Sequence, residues 1–157
     1  MRTITAVSLS LLLVACASTS GTPNRTASDV NLGKPSIAVA QISSVGAAAR
    51  HVTGGVPVQF AFTITNNAQE PITLTQVSVQ TLGGGAYEVR PTTNPFKVTI
   101  EPAESKKVDM WAPSNVAIDT VAGVNGPATI RATLHFDSPK GKFQEIVVEN
   151  VMSPTGV

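Results

Sequence analysis

The chain has 157 residues, 42% hydrophobic and 13% charged, with 12 Gly, 11 Pro and a single cysteine, Cys16. That length suits one domain of ordinary size, and the apolar fraction excludes disorder for most of it. One cysteine excludes an internal disulfide and a zinc site built mainly of thiolates, and 11 basic against 10 acidic residues make no field that would gather nucleic acid or anionic lipid.

Met1-Arg2-Thr3 is a short positive n-region, and Ile4 to Val14 is apolar apart from Thr5, Ser8 and Ser10. A spanning helix needs about 20 apolar residues. This run is shorter and closes on the small residues Ala15-Cys16-Ala17, so residues 1–15 read as a leader that is removed. Leu13-Val14-Ala15-Cys16 resembles the lipobox of bacterial lipoprotein precursors: an aliphatic residue, a small or aliphatic one, Gly/Ala/Ser, then cysteine. The resemblance implies cleavage between Ala15 and Cys16, diacylation of the Cys16 sulfur and acylation of the new amino group. Two or three acyl chains hold a protein stably, whereas one holds it marginally. Ala17 stands where an Asp would favour the inner membrane in the enterobacterial pattern, which points to the outer membrane. Read instead as A-x-A, Ala15-Cys16-Ala17 would release a soluble chain starting at Ser18. Loss of Arg2 with the leader leaves basic and acidic side chains equal in number.

Residues 16–34 form the lipidated cysteine and a polar tether rich in Ser, Thr, Gly, Asn and Pro. Its root-mean-square reach is about 23 Å on flexible-chain scaling. Residues 35–152 form the folded domain, and 153–157 a loose tail.

From Pro35 the pattern turns to period two. Pro35 to Val45 holds a first, looser strand, and Val45 to Val52 a single helical turn at most. Val56, Val58, Phe60, Phe62 and Ile64 share one face of a strand, and Ala128, Ile130, Ala132, Leu134 and Phe136 repeat the device; each is a half-buried antiparallel strand. Ile72 and Leu74 start another, but the next apolar positions are Val77 and Val79, so a β-bulge is expected at Thr75-Gln76. Phe96, Val98 and Ile100 alternate with polar residues, Pro102-Ala103-Glu104 turns the chain into Lys106 to Trp111, and Pro139-Lys140-Gly141 turns it into Phe143 to Val151. Seven or eight such strands predict an all-β fold, an antiparallel β-sandwich. The pattern resembles the immunoglobulin-like or fibronectin type III-like group, without the paired core cysteines of true immunoglobulin domains.

Little in the sequence supports catalysis, a resident metal or a cofactor, and none is expected. His135, between Leu134 and Phe136, faces outward with Arg131 and Asp137. His51, His135, Met110 and Met152 are copper-ligand types, but lack the His-x-Met pair and clustered methionines of the copper-carrying sandwiches. Glu101 with Glu104, and Glu145 with Glu149 opposite an Ile146 and Val148 face, read as solubilising surface. Gly83-Gly84-Gly85 reads as a flexible turn, and Lys106-Lys107 as charged guards on an edge strand.

Two features suit binding. The segment 112–127 reads as a long connection, more apolar than a solvated loop needs, with Val116 and Ile118 at its centre. Trp111 and Tyr87 are the only amphipathic aromatics and the natural anchors of a contact face. The expectation is a noncatalytic, lipid-anchored envelope protein that acts through protein or envelope contacts. One alternative is a periplasmic inhibitor or chaperone-like module working through the 112–127 loop or a sheet edge; another is a metal carrier or enzyme around His135.

Overall fold

Eight strands carry the period-two pattern in the computed structural model, whose described residues are 33–43, 56–83, 85–116 and 126–154. They are β1 Ser36–Gln41, β2 Val56–Thr65, β3 Ile72–Thr81, β4 Tyr87–Val89, β5 Thr92–Ile100, β6 Ser105–Val116, β7 Pro127–Ser138 and β8 Gly141–Met152. One sheet has the order β1-β2-β6-β4 and the other β5-β3-β7-β8, and every pairing is antiparallel. In immunoglobulin lettering these orders are A-B-E-D and C-F-G, with β5 added outside C. The fold is an immunoglobulin-like antiparallel β-sandwich. The expected leader, Cys16 with the residues that resemble a lipobox, and the turn expected at 45–52 lie outside the described residues.

The inner faces form one core. Val58, Phe60, Phe62 and Ile64 of β2 and Val108, Met110 and Ala112 of β6 face Leu74, Val77 and Val79 of β3 and the alternate residues Ala128 to Phe136 of β7, all buried. Burying such side chains contributes roughly 1.5–3 kcal/mol each, less the entropy of ordering them. Phe136 also stacks on Phe143 of β8, ring centroids 5.2 Å apart.

The expected bulge is present. Leu74 pairs with Phe136 and Gln76 with His135, so Thr75 is the extra residue. Its hydroxyl donates to the His135 carbonyl at 3.1 Å. The bulge moves the inward phase from even to odd positions, which lets both halves of β3 pack inward.

Three readings change. β6 runs on to Val116, so Ala112 to Val116 are strand and not the start of a loop. Alternation continues through buried Ala112 and buried Ser114, whose hydroxyl donates to the Val56 carbonyl at 2.8 Å. In β8 the face that meets the core is Phe143, Val147 and Val151, while Ile146 and Val148 are 48% and 52% exposed. Pairing on β7 decides this, because core-facing Ala132 and Ala128 stand opposite Val147 and Val151. Gly85 is not an open turn: a Cβ there would sit 3.1 Å from the Pro127 carbonyl oxygen, a tight contact that a side chain could make only if β7 gave by a few tenths of an ångström.

Candidate functional site

β6 pairs with β2 along its length but with β4 only at Ser114, Asn115 and Val116. Among the described residues its stretch 105–112 therefore lies open on one side. Lys107 and Asp109 are exposed on this stretch, as is usual for a guarded edge. Trp111 belongs to the same stretch. It is opposite Gln59 and 52% exposed, because the alternation that buries Met110 and Ala112 turns its side chain outward. Around it on the outer face are small or smooth exposed residues, Ala40 of β1 and the paired Pro57 and Pro113, while Ala61 between them is covered, 4% exposed. An indole on such a surface offers a broad apolar contact with one N–H donor.

Tyr87 is not a contact residue. β4 lies against the end of β6, which directs Tyr87 and Val89 into the core, and Tyr87 is 1% exposed. Its hydroxyl donates to the Gln41 Oε1 at 2.5 Å. Burial pushes the phenol well above its ordinary range. Val116, read as part of a loop, is the last residue of β6 and pairs with Tyr87; Ile118 lies outside the described residues.

His135 is half-buried on the outer face of β7, opposite Gln76 and Gln144, and His51 lies outside the described residues. Met110 is buried in the core and Met152 exposed at the end of β8. Among the described residues no three His, Cys, Asp or Glu side chains gather where they could hold a metal ion.

A cleft of about 650 Å³ at one end of the sandwich has no counterpart in the sequence reading. Residues 33–34, the β2–β3 loop and the β7–β8 hairpin form it, with Ile72 and Phe143 as its apolar wall. Its rim carries two ion pairs, Lys140 to Glu70 at 3.3 Å and Lys34 to Glu145 at 3.7 Å, which leave it electrically neutral. The buried Asn66 shapes its loop: its Nδ2 donates to the carbonyls of Glu70 at 2.8 Å and Ile100 at 2.9 Å, and its Oδ1 accepts from the Ala68 N–H at 2.9 Å. Three separated segments make the cleft, so no local motif announces it.

No protein-family model and no curated relative matches the chain. Solved structures with similar strand arrangements include a Northeast Structural Genomics Consortium target, at 13% identity and TM-score 0.48 over 81% of this chain and 91% of that one. A putative ApaA protein from Bordetella pertussis is similar at 16% identity and TM-score 0.47, over 78% and 94% of the two chains. The ASH/PapD-like domain 7 of human CEP192 is similar at 10% identity and TM-score 0.36, over 99% and 100%. At these values the fold rests on the strand order itself.

Proposed function

We propose that the protein is a noncatalytic, lipid-anchored interaction module of the bacterial envelope, held at the outer membrane through Cys16 and docking a protein partner on the open sheet face around Trp111. The observation that carries the docking reading is the half-exposed Trp111 beside the exposed Pro57, Pro113 and Ala40. Tryptophan is enriched among the residues that dominate interface energies, and small neighbours let a partner reach the exposed half of the ring. The anchoring reading rests on Leu13-Val14-Ala15-Cys16 and on the cysteine's being the chain's only one.

A photo-crosslinking amino acid at position 111 tests the docking, with Thr93, exposed on the other sheet, as the control position. A discrete envelope adduct from position 111 alone is expected. Its absence, or the same adducts from both positions, overturns the docking reading. Cys16→Ser should move the protein from membrane to soluble fraction, and unchanged fractionation overturns the anchor.

A further inference from the structure

β8 is the margin of its sheet: among the described residues only β7 pairs with it, while β1 of the facing sheet lies beside it and Lys34, ahead of β1, reaches Glu145. It runs for 12 residues without proline, longer than β1 and lacking the Pro95 that interrupts the margin strand β5.

The direction of its free backbone groups is fixed by the neighbouring strands. The Leu82 N–H donates to the Thr129 carbonyl at 2.8 Å, so odd-numbered residues of β7 turn their backbone toward β3 and even-numbered ones toward β8. Ile130 pairs with Glu149 and Ala132 with Val147. Odd-numbered residues of β8 are thus bonded to β7, while Gln144, Ile146, Val148 and Asn150 present N–H and C=O to the open side.

Side chains on this margin alternate in chemistry as well. Ile146 and Val148 are half-exposed on the outer face. Glu145 and Glu149 lie on the opposite face, paired with Leu134 and Ile130, at the rim of the core rather than inside it. Glu145 is paired with the exposed Lys34 at 3.7 Å, and Glu149 has no ion partner among the described residues.

Like charges opposite these carboxylates would be unfavourable in an incoming strand. A second copy of β8 added antiparallel about Val147 would pair Ile146 with Val148 but also Glu145 with Glu149, and like charges directly opposite are destabilising. A shift of two residues sets each glutamate against Val147 or another apolar residue. A strand with Lys or Arg opposite both glutamates and aliphatic residues opposite Ile146 and Val148 meets neither obstacle. Main-chain bonds supply affinity in strand addition, and alternate side chains supply specificity.

We propose that the β8 edge accepts, by strand addition, an extended partner peptide of the pattern basic-aliphatic-x-aliphatic-basic. The incoming basic residue replaces Lys34 at Glu145 and supplies Glu149 with a counter-ion. This edge belongs to the sheet opposite Trp111, so failure of either reading leaves the other standing.

The test adds a short proline-free peptide centred on Lys-Val-Ala-Val-Lys, or its Glu-Val-Ala-Val-Glu counterpart, to the full chain and follows amide signals by NMR. The basic peptide should shift and protect the amides of Gln144, Ile146, Val148 and Asn150, and bind at least about tenfold more tightly than the acidic one, a difference of roughly 1.4 kcal/mol. Glu145→Lys with Glu149→Lys should invert that preference. If that variant misfolds, Glu145→Gln with Glu149→Gln keeps the shape and should abolish the preference. Equal binding of both peptides, shifts confined to β1, β5 or β6, or pairing of two copies through β8 would each overturn the proposal.

Discussion

The Tyr87 hydroxyl and the Gln41 side-chain carbonyl meet at 2.5 Å in the interior and join the edge strand β1 to β4 at the far margin of the same sheet. Gln41 is held in turn, its Nε2 donating to the Ser43 carbonyl at 2.7 Å. Tyr87→Phe leaves a buried carbonyl without its donor and should cost about 1–3 kcal/mol, read as a lower urea midpoint with an unchanged slope. Burial raises the phenol pKa, so the folded state holds the proton more tightly than the unfolded chain. The associated stability is complete below the unfolded value of about 10 and is lost as pH rises above it. The chain has one tyrosine, so its phenolate absorbance should appear only together with unfolding; a normal titration in the folded protein would contradict the burial.

Asn66 should prove the costliest polar residue of the cleft. Its amide holds three backbone groups, two of which lose their partner in Asn66→Ala while the Ala68 N–H loses its acceptor. A loss of about 2–3 kcal/mol is expected, with faster amide exchange concentrated at residues 66–70. Loss of stability with exchange unchanged in that loop would assign the cost elsewhere.

The turn between β5 and β6 should accept improvement. The Glu104 N–H donates to the Glu101 carbonyl at 3.0 Å, Pro102 holds the second position, and Ala103 has φ 61°, a left-handed conformation that favours glycine. Ala103→Gly should stabilise the fold by roughly 0.5–1 kcal/mol, the relieved backbone strain exceeding the added freedom of the unfolded chain. A lower melting temperature would show that the turn carries no such strain.

Trp111→Ser should leave stability within about 0.5 kcal/mol of the parent, because a half-exposed side chain loses little on truncation. The chain's only tryptophan should be freely quenched by acrylamide in the isolated protein and shielded when the partner docks. A melting temperature several degrees lower would make Trp111 a packing residue rather than a contact.

Replacing both inward carboxylates of β8, Glu145→Val with Glu149→Val, removes the repulsion that opposes pairing of two copies. Sedimentation should then show species larger than those of the parent. A monomeric double variant would mean that some other feature guards this margin.

Much of the architecture was legible because the long strands are unambiguous. Every inward position of β2 from Val58 to Ile64 is large and apolar, β7 repeats the rule, and the phase change after Leu74 announced its own bulge. The sequence pattern ends β6 early because Ser114 breaks the apolar series, and only the packed structure supplies the Val56 carbonyl that lets a hydroxyl lie buried. The face of β8 was ambiguous by nature: Val147 and Val151 compete with Ile146 and Val148, and the choice is made by β7. Trp111 is half-exposed, and its phase against the inward Val108 and Met110 carries that signal in the sequence. Tyr87 was misplaced because the three-residue strand β4 is too short to show a period.

The pairing of β2 with β6 also bears on how the molecule forms. Val56 meets Ser114 and Thr65 meets Ser105, so half of the interior waits for contacts between distant parts of the chain, whereas Ser138 meets Gly141 across a tight hairpin. Topologies dominated by such distant contacts fold in milliseconds to seconds, not microseconds. Until β6 arrives, Phe60 and Phe62 of β2 can meet β3 and β7 of the facing sheet but lack Met110 and Val108 beside them, so that flank of the core stays wet until the distant pairing is made.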